Sequence, residues 1–188
     1  MTHQPVSGPA AWVGNELLDR DDWTYTFTDS DQQELTNALQ TTAQIAVEEI
    51  TADHFQLPNL ESKLQQIQHD LEEGSGAVLI KGFPATDSTA DQATRIFWGL
   101  MTHLGTAVSQ SAKGERYFHV RDEGYQVGQA QARGPNTRKK LSFHTDRCDV
   151  IGFMCLRQAL SGGENQLVSS VSVYNQILQE RPDLLQLL

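Results

Sequence analysis

Cysteine is nearly absent: Cys148 and Cys155 are the only two in 188 residues. No disulfide framework can be built from them, and the pair fits a reduced, cytoplasmic protein better than a small secreted one. Long hydrophobic runs are missing too. The stretch Ala77–Ile80 is among the longest and falls far short of the ~20 apolar residues a spanning helix needs. Met1–Ala10 has neither a basic start nor an apolar stretch, so it does not read as a signal peptide. Basic residues are few, 14 against 24 acidic ones, for a formal charge of −10. Such a chain repels phosphate backbones, so nucleic acid and membrane surfaces are not expected partners.

What is present is ordinary globular composition with two periodicities. Residues 1–10 read as a mobile tail with Pro5, Gly8 and Pro9, and residues 11–188 as one domain. Ser30 followed by Gln33 has capping-box spacing. It opens a predicted helix with Leu35, Ala38, Leu39, Thr42, Ile45, Ala46 and Ile50 on one face. A second helix carries Leu60, Leu64, Ile67 and Leu71, with Gly74 at the position where a left-handed cap is expected. Ala77–Ile80 then reads as a buried strand. Ser88 with Asp91 opens a third helix whose apolar face holds Ala93, Ile96, Phe97, Leu100, Met101 and Leu104. Extended segments are expected near 106–110, 116–121, 141–146, 150–157 and 166–171, and a last helix from Ser172.

Gln129–Lys140 stands apart as a long loop without apolar periodicity, and Arg133, Arg138, Lys139 and Lys140 make it the one basic stretch. Loops of that length are commonly functional or disordered. Either a solvated loop or an active-site lid that attracts an acidic substrate or carrier fits it.

The chemistry-bearing feature is His144-Thr145-Asp146. On a strand, residues i and i+2 point to the same face. One imidazole and one carboxylate on a face are two thirds of the triad that holds non-haem iron(II), the carboxylate keeping the charge near balance and open positions remaining for other ligands. The tripeptide alone is a weak signal. Six histidines and 24 acids in this length give roughly 0.8 such matches by chance, and an ordinary hydrogen-bonded histidine fits equally well.

Its surroundings are more specific. Ser142-Phe143-His144-Thr145-Asp146, then Val150–Arg157, Ser161-Gly162-Gly163-Glu164, Val168-Ser169-Ser170, Tyr174 and Leu178 follow one another in an order that resembles the TauD/TfdA family of Fe(II)- and 2-oxoglutarate-dependent dioxygenases. Upstream, Gly76–Gly82 resembles that family's entry strand, and Leu104-Gly105 with Gln110 its later segment. The resemblance covers residues 75–188 well and the N-terminal helices loosely. It implies an α+β, mainly β architecture, a double-stranded β-helix (jelly roll, cupin-like) with flanking helices. It implies Fe(II) as cofactor, 2-oxoglutarate and dioxygen as cosubstrates, and hydroxylation or desaturation of a C–H bond in a small molecule, such as an amino acid or a specialised-metabolite intermediate. It assigns His144 and Asp146 to the iron. Asn165 stands where the family usually has Thr or Ser near 2-oxoglutarate, and Gln110 matches a substrate-contacting position. The family's second histidine and its 2-oxoglutarate-binding arginine have no counterpart after Asp146, where no further histidine occurs. About eight strands are needed to close such a barrel, and at most four can be read after residue 140. The expectation is therefore an incomplete barrel in the N-terminal part of a longer protein. The competing readings are a catalytically incomplete module that binds a partner chain and a cupin-like structural or zinc-binding module. Oligomeric state is not readable.

Overall fold

The computed structural model describes residues 3–85, 88–125, 136–137 and 140–187, without the side chains of 186 and 187. These residues divide into two compact units: one built from 1–104 and 154–188, the other from 105–153.

The first unit is mainly helical. Its elements are α1 (Gly14–Leu18), β1 (Thr24–Thr26), α2 (Asp29–Thr41), a 3-10 turn (Val47–Glu49), α3 (Glu61–Glu72), β2 (Leu79–Lys81), α4 (Ala90–Met101), α5 (Ser170–Glu180) and a 3-10 turn over Leu184–Leu187. β1 and β2 pair in parallel, with Thr24 opposite Leu79 and Thr26 opposite Lys81. The connection between them runs through α2 and α3, as a parallel pair requires. Helices and strands meet around Phe27, Leu35, Phe55, Leu60, Ile67 and Ile96, all at most 2% exposed. Burying a side chain of this size stabilises by roughly 1.5–3 kcal/mol.

The helices form where the apolar stripes place them, but their ends are set by caps that the stripes do not reveal. The first cap is Thr28, not Ser30. Its hydroxyl accepts from the Asp31 amide at 3.3 Å, and Asp31 returns the bond to the Thr28 amide at 2.8 Å. The Asp31 carboxylate is also bonded to Lys63 of α3, a second partner that Gln33 lacks. That helix also stops at Thr41 and does not continue to Ile50. The Thr42 hydroxyl turns back to the Ala38 carbonyl at 2.9 Å, and the Arg95 guanidinium takes the carbonyls of Thr42 at 3.0 Å and Ile45 at 2.5 Å. Those carbonyls are thereby satisfied outside a helix. Thr89, not Ser88, caps α4, with Gln92 completing the box; the Ser88 hydroxyl donates to Pro84 instead. Ser169 caps α5, three residues before the expected Ser172.

Gly74 is required for a different reason from the one expected. Its backbone is not left-handed; a Cβ there would lie 2.6 Å from the Asp70 carbonyl oxygen, and the positive φ falls on Gly76, at 72°. In place of 77–80 the strand is the shorter Leu79–Lys81, and it is not buried: Leu79 is 41% exposed.

The segment before Trp12 is hydrogen-bonded to α5. Asn175 receives a bond from the Val6 amide at 2.8 Å and donates one to the Val6 carbonyl at 2.7 Å. Ser172 donates to the Trp12 carbonyl at 2.7 Å, and the buried Trp12 indole donates to the Ser75 carbonyl at 2.8 Å.

The α+β class is seen, whereas the jelly roll that the resemblance implies is not formed by the described residues. Among the described residues there is one two-stranded sheet and no β-helix. The segments 106–110, 116–121, 141–146, 150–157 and 166–168 are without strand assignment, and 170–171 belong to α5. Alternation makes a segment fit for a sheet, but a strand exists only when a neighbour takes up its backbone groups. Leu141, Phe143, Ile151, Phe153, Leu160 and Leu167 are correspondingly exposed, between 47% and 109%.

Candidate metal-binding site

His144 and Asp146 both lie in the 105–153 unit. The backbone around them is irregular, not a strand, yet the i, i+2 spacing brings the two side chains together. His144 Nε2 stands 3.9 Å from Asp146 Oδ2, and both side chains are about half exposed, at 54% and 51%. The other ring nitrogen, Nδ1, is engaged with the Ser142 carbonyl at 2.8 Å. A carbonyl only accepts, so Nδ1 carries the hydrogen in this bond, and in the neutral imidazole Nε2 is then the nitrogen with the free lone pair. A backbone partner for the second imidazole nitrogen is the usual way a metal-binding histidine is oriented. The Ser142 contact is made by a backbone carbonyl and leaves no mark in the sequence.

A nitrogen and a carboxylate oxygen facing each other on an exposed surface suit a divalent transition metal. The fit stops at two ligands: among the described residues no group of three or more His, Cys, Asp and Glu side chains could hold an ion. His119 of the same unit is instead in an edge-to-face contact with Tyr117, ring centres 5.8 Å apart. Cys148 is half-buried and Cys155 exposed, both as free thiols.

The other residues singled out from the sequence are placed as follows. Gln110, in the same unit as His144, is exposed; its side-chain amide donates to the Val108 carbonyl at 3.2 Å and its backbone amide to the Glu115 carbonyl at 2.6 Å. Asn165 and Glu164 belong to the other unit and are exposed. Arg133, Arg138 and Lys139 of the basic loop lie outside the described residues, and Lys140 is exposed. No helix among the described residues is long and apolar enough to cross a membrane.

A sequence model described as "Taurine catabolism dioxygenase TauD, TfdA family" matches residues 32–188. Among characterised proteins, the chain is 30% identical over 185 residues to the FR-33289 synthase of Streptomyces rubellomurinus, an alignment that takes in 97% of this chain and 55% of that protein. It is 27% identical over 187 residues to the taurine hydroxylase-like protein SAT17 of Stachybotrys chartarum, taking in 95% of this chain and 49% of that protein. The chain thus spans about half the length of the relatives it matches. With its family match running from α2 to the last residue, the chain belongs to the TauD/TfdA dioxygenase family.

Proposed function

We propose that the protein is an Fe(II)- and 2-oxoglutarate-dependent oxygenase that hydroxylates or desaturates an unactivated C–H bond of a small organic substrate. The observation that carries this reading is the His144–Asp146 pair, facing at 3.9 Å with Nδ1 tied to Ser142, in a chain of this family. Iron bound there would supply adjacent positions at which 2-oxoglutarate and dioxygen meet, so that release of carbon dioxide and succinate is coupled to oxidation of the substrate. In a hydroxylation, one oxygen atom of dioxygen enters succinate and the other the substrate.

The chain's own residues have limited and definite parts in this. The Ser142 carbonyl holds the imidazole in the tautomer that leaves Nε2 free. Asp146 contributes the negative charge that balances the ion. Asn165 can donate an amide hydrogen bond to a 2-oxoglutarate oxygen, and Gln110 presents an amide for substrate. In this proposal the remaining imidazole ligand and a cation for the distal carboxylate come from polypeptide beyond residue 188, in keeping with relatives about twice as long. An arginine suits that contact because its guanidinium pairs with a carboxylate through two parallel bonds. The same additional polypeptide would pair with the exposed run from Leu141 to Val168 and complete the sheet that the family implies. Substrates such as an amino acid or a specialised-metabolite intermediate, and a place in the cytoplasm, belong to this proposal as well.

The exposed apolar run favours one other reading, a catalytically incomplete module that binds a partner chain through that surface. Succinate production separates the two. The full-length protein, given Fe(II), 2-oxoglutarate and dioxygen, is expected to form succinate, and His144→Ala to abolish it. No succinate from the full-length protein, together with stable complexes formed through the 141–168 run, would replace the first reading with the second.

A further inference from the structure

Within the first unit, an open groove of about 700 Å³ lies between one face of α2 and the loop 53–59. Its α2 wall presents Ser30, Gln33, Asn37 and Thr41, spaced along successive turns. Its loop wall includes Asp53, His54 and Asn59. Glu34 also lines it and is nine-tenths buried, with 9% of its surface exposed. The two oxygens of that carboxylate are treated differently. Oε1 accepts from the Asn59 amide at 2.9 Å and from the Asn59 side chain at 3.0 Å, which fixes the entry to α3. Oε2 is buried and has no hydrogen-bond partner. A carboxylate oxygen shut from water and left unpaired is unfavourable, and a donor that reaches it recovers the loss.

The wall chemistry says which donor. Glu34 and Asp53 are acidic and no lysine or arginine lines the groove, so an anion is repelled. A divalent metal is disfavoured as well, because no set of three or more ligating side chains is present among the described residues. A compact ammonium group needs only two or three acceptors. The uncharged hydrogen-bonding side chains of α2 suit a polar body attached to it. We propose that this groove binds a small polar ligand through a primary ammonium group that hydrogen-bonds Glu34 Oε2, with Asp53 balancing its charge. Access requires reorienting a wall side chain. Gln33 and Asn37, both exposed and bonded to each other at 2.9 Å on either side of Glu34 in sequence, can do so because surface rotamers exchange within nanoseconds.

The test is an amide NMR titration of the protein with ethanolammonium chloride, alongside ethylene glycol and potassium chloride at matched concentrations. Ethanolammonium is expected to give saturable shifts confined to residues 30–41 and 53–59, and the two controls none. Glu34→Gln preserves the shape but places an N–H donor where the acceptor was, and is expected to weaken binding by roughly tenfold or more. Asp53→Asn, at an exposed position, is expected to weaken it severalfold without disturbing the fold. Equal shifts with ethylene glycol or potassium chloride would overturn the proposal, as would a non-saturating response or stronger shifts of the same amides by Mg(II). So would unchanged affinity in a folded Glu34→Gln variant; if that variant does not fold, unchanged affinity in Asp53→Asn overturns it.

Discussion

Replacing Gly99 by alanine sets two effects of known sign against each other. In the interior of a helix, Gly→Ala ordinarily stabilises by about 1 kcal/mol, since alanine has the higher helix propensity. Gly99 lies within α4, and its Cα faces Phe55, which is fully buried. A Cβ built there would stand 2.3, 2.4 and 2.6 Å from three ring carbons of Phe55. Carbon atoms pack at about 3.5–4.0 Å, so the overlap exceeds an ångström. The ring has little room to withdraw, because Phe55 is 0% exposed and the α4 residues Ile96 and Leu100 are nearly so. Overpacking of this kind costs about 1–3 kcal/mol. The overlap lies with a whole ring and not with the tip of a flexible chain, so the upper half of that range applies. The net expectation is a loss of about 1–2 kcal/mol for Gly99→Ala. Urea unfolding followed by circular dichroism reads it as a lower midpoint at unchanged slope. A double-mutant cycle with Phe55→Leu sharpens the test: removing part of the ring should relieve the clash, so the two substitutions together should cost at least about 0.5 kcal/mol less than the sum of each alone. A stabilised Gly99→Ala, or strict additivity with Phe55→Leu, would refute the close packing of α4 on Phe55.

Two further outcomes follow from the same geometry. Burial pushes the Asp31 carboxyl up, but its bonds to Lys63 and to the Thr28 amide and hydroxyl outweigh this and hold it below the usual range. A folded-state pKa that is depressed contributes stability above the unfolded value and loses it as pH falls through the folded one. Lys63→Met should therefore cost about 1.5–3 kcal/mol at neutral pH and flatten the acid limb of the stability–pH curve; an acid limb identical to that of the parent would contradict the bridge. Asn175→Ala removes both bonds to Val6 and should speed exchange of the Val6 amide by roughly tenfold while α4 amides are unaffected; unchanged exchange at Val6 would show that the N-terminal segment is held by something else.

The stripes of α2, α3 and α4 were legible because burial of one face imposes a 3.6-residue period on the sequence. Their ends were not, because cap-forming residues cluster at each start. Thr28 and Ser30, or Ser88 and Thr89, compete as caps, and the winner is decided by partners distant in sequence, such as Lys63 for Asp31. The bonding of Val6 to Asn175 joins residues 169 apart and leaves no local pattern. Segments 141–146 and 150–157 carry strand composition, but pairing is non-local and its partners are not among the described residues. The His144–Asp146 pair was legible as a spacing. Its tie to Ser142 was not, since any backbone carbonyl looks the same in a sequence. Glu34 reads as one more acid on a helix until its burial and its unpaired oxygen are known.

The central claim is that His144 and Asp146 hold the ferrous ion. Its most direct test is the visible absorption of the anaerobic full-length protein on addition of Fe(II) and 2-oxoglutarate, compared with His144→Ala and Asp146→Ala. The account predicts a weak charge-transfer band for the parent protein and none for either variant, with both variants retaining the parent's helical circular dichroism. A band of parental intensity in either folded variant, or none in the parent, would contradict it.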